Sequence, residues 1–158
     1  TEILVNDGQL VAAGSKVAIV STRGAGYQVL AFFKPLDGKR LVAGMETDIV
    51  PSTVKREQYG TMKGVVGDTS IRPMSLEQTT ELLGNETLAR YLTSNEPPIA
   101  GRITVATRPG EPDAFAWRNG SGPPFPVTTG TVADVNVTVQ RQAPVTLVLP
   151  YLKTLVGL

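Results

Sequence analysis

The chain has 158 residues, of which 41% are hydrophobic and 18% are charged, and this composition is typical of a globular protein with one large domain or two small ones. Its formal net charge is +1, with no long acidic or basic run, so nucleic acid and anionic membrane surfaces are not expected as partners. It contains neither histidine nor cysteine, which excludes imidazole bases, thiol nucleophiles and the usual kinds of zinc site.

Residues 1–20 are predicted to form short strands separated by turns. Asp7-Gly8 is a strong tight-turn signal, because both residues tolerate left-handed backbone conformations. Gly14 ends a second turn signal, so both Gly8 and Gly14 are predicted turn glycines. Lys16 begins the next strand, where we expect a solvated side chain rather than a site of covalent modification.

A linker, residues 21–27, precedes a stretch in which glycine marks each change of direction. Gly44 precedes a strand that Pro51 ends, and Gly60 precedes another strand, which crosses Gly64. Gly44, Gly60 and Gly64 are predicted structural turn glycines. Glycine is favoured where a strand bends or where another backbone approaches closely. The strands predicted in this stretch cover residues 28–33, 45–50 and 61–71.

Helical signals are confined to about residues 75–93. Ser75, with Gln78 three residues later, is the signature of a capping box. Gly84 fits a helix C-cap and Asn85 an N-cap, which favours two short helices over one continuous helix.

The last third of the chain returns to β-strand patterns around one long loop. The loop, residues 108–126, is rich in glycine and proline, carries Trp117 and is predicted to lack regular structure. Gly130 is a further predicted turn glycine. The flanking strands are predicted at residues 99–107, 131–140 and 143–149.

No set of catalytic residues is recognisable in the sequence. Glu46 and Asp48 lie two positions apart on one predicted strand, so they share a face and could form an acid–base pair or bind a divalent cation. No third ligand lies nearby, and an exposed strand face is the interpretation we favour. The sequence predicts neither a cofactor nor a bound metal.

Two places are candidates for contact with a partner protein. Lys55 and Arg56 read as a solvated turn, or alternatively, together with Tyr59, as a protein contact. Trp117 either folds over the mouth of the predicted barrel or serves as an exposed anchor, and we favour the first interpretation.

The order of these motifs resembles the membrane-proximal part of HlyD-type membrane-fusion proteins, the periplasmic adaptors, especially those of bacteriocin-export systems. The segment from Pro51 through Tyr59-Gly60 to Gly64 is similar to the family's segment between a proline and a tyrosine–glycine pair. Gly130, followed by an alternating strand, is similar to its closing barrel strands. The helical insertion and the Trp117 loop resemble the bacteriocin-export branch.

This resemblance implies a mostly-β fold in three parts. Half of a lipoyl-like sandwich would need a second half to cover its strand edges, and that half is expected upstream of this chain, as is a membrane anchor. The implied parts are residues 1–22 as the lipoyl-like half, 27–150 as a β-barrel with the helical insertion, and 151–158 as an exit segment.

The function implied by the resemblance is that of a non-catalytic, membrane-anchored periplasmic adaptor for peptide or protein secretion. Such a protein links an inner-membrane ABC exporter to a TolC-like outer-membrane channel and associates with itself into a ring. The alternative is a biotinyl/lipoyl-type carrier or accessory module of an enzyme complex, which a mass shift on a modified lysine would reveal.

Overall fold

A computed structural model describes residues 9–23 and 26–141 of the chain. It contains nine strands and four short helices within those residues. The strands are β1 Gln9–Arg23, β2 Gly26–Phe33, β3 Glu46–Pro51, β4 Thr61–Thr69, β5 Ile99–Val105, β6 Thr107–Arg108, β7 Glu111–Phe115, β8 Trp117–Arg118 and β9 Val132–Arg141. The helices are α1 Pro35–Gly38, α2 Arg56–Tyr59, α3 Leu76–Leu83 and α4 Glu86–Thr93.

Seven strands form a curled antiparallel sheet, in which β8 pairs with β4 and the pairings of the other six strands return to the strand where they began. The order is β1–β2–β5–β4–β3–β9, and β9 pairs with β1 again. We call these six strands the barrel. A strand that is paired on both sides has no exposed backbone edge, which removes the tendency of edge strands to associate with other chains.

The interior of the barrel is filled by alternate residues of its strands. Side chains of successive strand residues point to opposite faces of a sheet, so every second residue faces inward. The buried cluster combines aliphatic and aromatic side chains: Val29, Ala31, Phe33, Ile49, Met62, Val66, Ile103, Val105, Ala133, Val135 and Val137 from the strands, with Leu41, Val54 and Val127 from the connections. The prediction of a mostly-β fold is confirmed.

The predicted division of the N-terminal segment is corrected for residues 9–22. These residues form one continuous strand, β1, and not two strands separated by a turn at Gly14. Ala12 faces Val137 and Ser15 faces Val135, so β1 carries an extra residue around Gly14. An extra residue of this kind is a β-bulge, which bends the strand and increases its twist, and it lets β1 follow the curved sheet.

This strand belongs to the same sheet as the predicted barrel residues. From Ala18 to Arg23 it pairs with β2, and from Gln9 to Ile19 it pairs with β9. Residues 9–22 therefore do not form a separate half-sandwich, and most of the predicted linker lies in β1 and β2. Gly8 and the predicted elements at 1–5, 143–149 and 151–158 lie outside the described residues.

The two helices predicted at residues 75–93 are confirmed, together with their caps. The prediction that helix is confined to this region is wrong, because the connections that follow β2 and β3 form the one-turn helices α1 and α2. The Ser75 side chain accepts a hydrogen bond from the Gln78 backbone N–H, and the Gln78 side chain accepts one from the Ser75 backbone N–H. Gly84 ends α3 at φ +65°, and the Asn85 side chain accepts from the Leu88 N–H at the start of α4. We call this pair the helical hairpin.

The long loop around Trp117 contains regular structure that the sequence pattern did not predict. Pro109-Gly110, with Gly110 at φ +80°, turns the chain between β6 and β7. β8 then pairs with the start of β4, where Met62 faces Trp117. The prediction of a loop without regular structure is therefore wrong, because short strands held by tertiary pairing carry little alternation in their sequence.

Candidate functional site

The predicted contact at Lys55, Arg56 and Tyr59 lies on α2, at the end of the barrel where β4 begins. The Lys55 and Arg56 side chains are exposed, whereas Tyr59 is half-buried and packs against the core cluster. The Tyr59 ring meets the Phe125 ring edge to face, with centroids 6.1 Å apart. The structure therefore presents two exposed cations at the start of a one-turn helix that an aromatic ring fixes to the barrel, and neither cation forms an ion pair within residues 9–23 and 26–141.

Close backbone contact fastens the Trp117 loop to this turn. A Cβ atom added to Gly60 would lie 2.3 Å from the Arg118 carbonyl oxygen, and one added to Gly120 would lie 2.3 Å from the Tyr59 carbonyl oxygen. The Gly122 N–H donates a hydrogen bond of 3.1 Å to that Tyr59 oxygen. Gly60 and Gly120 therefore allow two chain segments to approach more closely than any side chain would permit.

Trp117 is half-buried and packs against the core cluster. Gly122, at φ +80°, lies over the ring, and a Cβ atom there would come within 2.4 Å of the indole nitrogen. The indole therefore lies between the barrel and its own loop. This position agrees with the folded-over interpretation of Trp117 and not with the exposed anchor.

The carboxylate pair that the sequence singled out contacts an arginine from the same loop. Arg118 Nη2 lies 3.2 Å from Glu46 Oε2, and its Nη1 lies 3.3 Å from Asp48 Oδ1. The Thr61 hydroxyl donates a hydrogen bond of 3.1 Å to the same Asp48 oxygen. We call these four residues the Arg118 clasp.

The Arg118 clasp gives the Glu46 and Asp48 carboxylates a structural role, as ion-pair partners of Arg118. Glu46 and Asp48 do share a face, as predicted, but a guanidinium group lies between them where a cation or a reacting group would have to bind. Arg118 is separated from Glu46 by 72 positions in the chain, so no local pattern could have revealed the pairing. Within the described residues, no group of three or more Asp, Glu, His or Cys side chains could hold a metal ion.

The predicted turn glycines behave in two different ways. Gly44, Gly60 and Gly130 have φ of +94°, +84° and +84°, the left-handed region that glycine adopts without a Cβ clash. Gly64 instead lies inside β4, where an added Cβ atom would come 2.6 Å from Thr47 Oγ1 and 2.8 Å from Ile103 Cγ2. The assignment of Gly64 as a turn glycine is corrected, because close packing of the interior accounts for it.

Two further findings concern Lys16 and the lengths of the helices. Lys16, the residue considered for covalent modification, lies inside β1 rather than at a hairpin tip. None of the helices in residues 9–23 and 26–141 is both long and apolar enough to cross a bilayer.

One surface feature was missed by the sequence analysis. A groove of about 1100 Å³ runs between α3 and the segment that follows β4, and Ile71, Arg72, Met74, Glu81 and Leu82 are among its lining residues. The signal was present in the sequence as large apolar residues on helices too short to bury them. Its shape depends on how the helical hairpin lies against the barrel, which the sequence does not state.

Comparison of the chain with protein-family models, with curated proteins and with solved structures gives no match.

Proposed function

We propose that this chain is the barrel-forming portion of a non-catalytic periplasmic adaptor, anchored to the inner membrane. In this role it links an ABC exporter of the inner membrane to a channel of the outer membrane during secretion of a peptide or protein, and it associates with further copies of itself. The resemblance in motif order and spacing supplies the identity of the partners.

The observation that carries the proposal is the way the Trp117 loop is fastened to α2 and to the start of β4 at one end of the barrel. Three independent contacts hold it there: the Arg118 clasp, the paired backbones at Gly60 and Gly120, and the half-buried indole. Rigid contacts of this kind suit a subunit that passes the movement of one partner on to another, because a packed interior is not continuously deformable. Glu46 and Asp48, the carboxylates considered for catalysis or cation binding, instead form ion pairs with Arg118 that hold the loop in place.

The exposed cations of α2 are the proposed contact with the exporter. Lys55 and Arg56 project from the fastened end of the barrel, and neither has an ion-pair partner within the described residues. Because α2 is held against the barrel, its residues would lose little conformational entropy on binding a partner.

A photo-crosslinking amino acid at Arg56, in the full-length protein made by its own host, tests the proposal. We expect the crosslinked product to contain the membrane subunit of an ABC exporter, identified by mass spectrometry. The same amino acid at Thr104, an exposed residue on the outer wall of β5, is the control and should give no such product.

A product that contains only subunits of a soluble enzyme, together with a covalent mass shift on a lysine, would overturn the proposal in favour of the carrier alternative. The position of Lys16 within β1 argues against that alternative, because a modified lysine has to reach several active sites from an exposed turn.

A further inference from the structure

Two exposed surfaces of this chain combine large apolar side chains with charges that are predominantly acidic in one surface and predominantly basic in the other. The first, which we call the acidic surface, consists of Ile71, Glu77, Glu81 and Leu82, along and beside the groove at α3. Ile71 is 92% exposed and Leu82 is 38% exposed. Both glutamates are exposed, and no ion pair engages either of them within the described residues.

The second, which we call the basic surface, surrounds α1 and consists of Lys34, Leu36, Lys39, Arg40 and Val42. Leu36 is 79% exposed and Val42 is 58% exposed. The three cations are exposed and likewise take part in no ion pair within the part of the chain that the structure describes. Asp37 is the one acidic residue within this surface.

Neither surface has the features of ordinary solvated structure. Glu77 and Glu81 are four residues apart on α3, and like charges at that spacing destabilise a helix unless a cation lies nearby. Arg72 also lines the groove, so each surface contains one charge of the minority sign. Exposed leucine and isoleucine side chains are common one at a time, but several of them together with a polar and charged rim are typical of a protein-binding site.

Both surfaces are attached to adjacent residues at the start of β5. The Met74 N–H, ahead of α3, donates a hydrogen bond of 2.8 Å to the Pro98 carbonyl oxygen. On α1, a Cβ atom added to Gly38 would lie 2.6 Å from Ile99 Cβ, so α1 rests against the next residue along the chain. The two surfaces therefore lie at the same end of β5.

We propose that two copies of this chain associate through these surfaces, with the acidic surface of each copy against the basic surface of the other. Because both surfaces are at one end of the molecule, a two-fold arrangement forms the contact twice. Leu36 and Val42 of one copy then cover Ile71 and Leu82 of the other, and lysine and arginine lie next to the glutamates. The inference rests on the self-association included in the proposed function and adds the surfaces for one contact between copies. Other contacts would join such pairs into a ring.

Charge reversal of one surface at a time tests this arrangement by sedimentation velocity of the 158-residue chain, from about 5 to 500 µM, a range suited to a small interface. The wild-type chain should form dimers as its concentration rises, and high salt should weaken them. The variant Lys39→Glu/Arg40→Glu should be monomeric over this range, and so should Glu77→Lys/Glu81→Lys, each with a dissociation constant at least about tenfold higher.

An equimolar mixture of these two variants provides the decisive measurement. One variant then carries two acidic surfaces and the other two basic surfaces, so the mixture should sediment as a heterodimer although neither variant dimerises alone. Lys63→Glu/Arg108→Glu, which reverses two exposed cations elsewhere, should dimerise as the wild type does. Circular dichroism checks that each variant is folded.

A wild-type chain that remains monomeric at all concentrations would overturn the inference, and so would a mixture of the two folded variants that fails to associate. Either result leaves the crosslink from Arg56 to an exporter unaffected, so this inference and the proposed export role can fail separately.

Discussion

The barrel and the helical hairpin are stabilised by different means, although they belong to one chain. Ile49, Met62 and Ile103 are completely buried in the barrel. In the hairpin the buried residues are the small side chains Thr79 and Ala89, and its leucines remain partly exposed. The barrel therefore depends on burial of apolar surface, whereas the hairpin depends on its local caps.

This difference predicts two levels of stability within the molecule. Regions with few buried apolar contacts open more readily than a packed core, so the hairpin should open without unfolding of the barrel. An element that is stable enough to keep its shape, yet offers partly exposed leucines, is well suited to contact another protein. The predictions below test this difference, from the largest expected effect to the smallest.

Truncation of a central barrel residue should give the largest loss of stability. Ile103→Ala removes a completely buried side chain and leaves a cavity, which costs about 2–5 kcal/mol. The matched variant in the hairpin, Leu82→Ala, should cost less than about 1.5 kcal/mol, because that side chain is already partly exposed. Urea denaturation measures both, and equal losses would mean that the two regions are packed alike.

Gly64→Ala tests how tightly the barrel interior is packed. The new methyl group would meet Thr47 Oγ1 at 2.6 Å, Ile103 Cγ2 at 2.8 Å and Ile49 Cδ1 at 2.9 Å. Overpacking of this kind costs about 1–3 kcal/mol. Gly26→Ala is the control, since no atom of the described residues beyond its chain neighbours lies within 4 Å of the added methyl group, and its melting temperature should stay near that of the wild type. A Gly64→Ala protein with wild-type stability would contradict the close contact between β3 and β4.

Thr47→Val should stabilise the barrel. Thr47 is 1% exposed, and its hydroxyl has no hydrogen-bond partner within the described residues. An unsatisfied buried hydroxyl is unfavourable by about 1–3 kcal/mol, so a methyl group of similar shape should raise the free energy of unfolding by about 1 kcal/mol. Thr104→Val, on the exposed outer wall, should change stability little. A destabilised Thr47→Val protein would imply that the hydroxyl does have a partner.

Removal of a helix cap should affect the hairpin alone. Ser75→Ala deletes the hydrogen bond that the Ser75 hydroxyl accepts from the Gln78 backbone N–H and should weaken α3 by about 1 kcal/mol. Native-state hydrogen exchange should show several-fold faster exchange of α3 amides, while β5 amides keep their wild-type rates. Ser52→Ala, at an exposed turn after β3, is the control. Equal acceleration of α3 and β5 would show that hairpin and barrel unfold together.

The elements that were predicted correctly are those whose signals lie close together in the chain. The caps at Ser75, Gly84 and Asn85 each depend on residues within a few positions, and all three are present as expected. The positive φ at Gly44 and Gly130 is also local, since it reflects the absence of a Cβ atom at a turn.

The elements that were predicted wrongly depend on residues far apart in the chain. The residues around Gly14 predict a turn by their composition, but β1 pairs with β9 on both sides of Gly14, so Gly14 lies in a bulged strand. The ion pairs of Arg118 with Glu46 and Asp48 were not predicted, because they form only where β8 lies beside β4. Local propensity gives way wherever backbone pairing on both sides of a strand satisfies more hydrogen bonds than a local turn would.

The amino-acid sequence by itself determined the mostly-β character of this protein, the position and caps of the two helices of the helical hairpin, and the positive-φ turn glycines Gly44 and Gly130. Only the tertiary structure decided that residues 9–22 share a sheet with the rest of the barrel, that Arg118 lies between the two candidate carboxylates, and that the acidic and basic surfaces meet the same end of β5. The physical reason is the range of the interactions: caps and turns are satisfied within a few residues, whereas strand pairing, ion pairing and burial depend on which distant segments the closed sheet brings together.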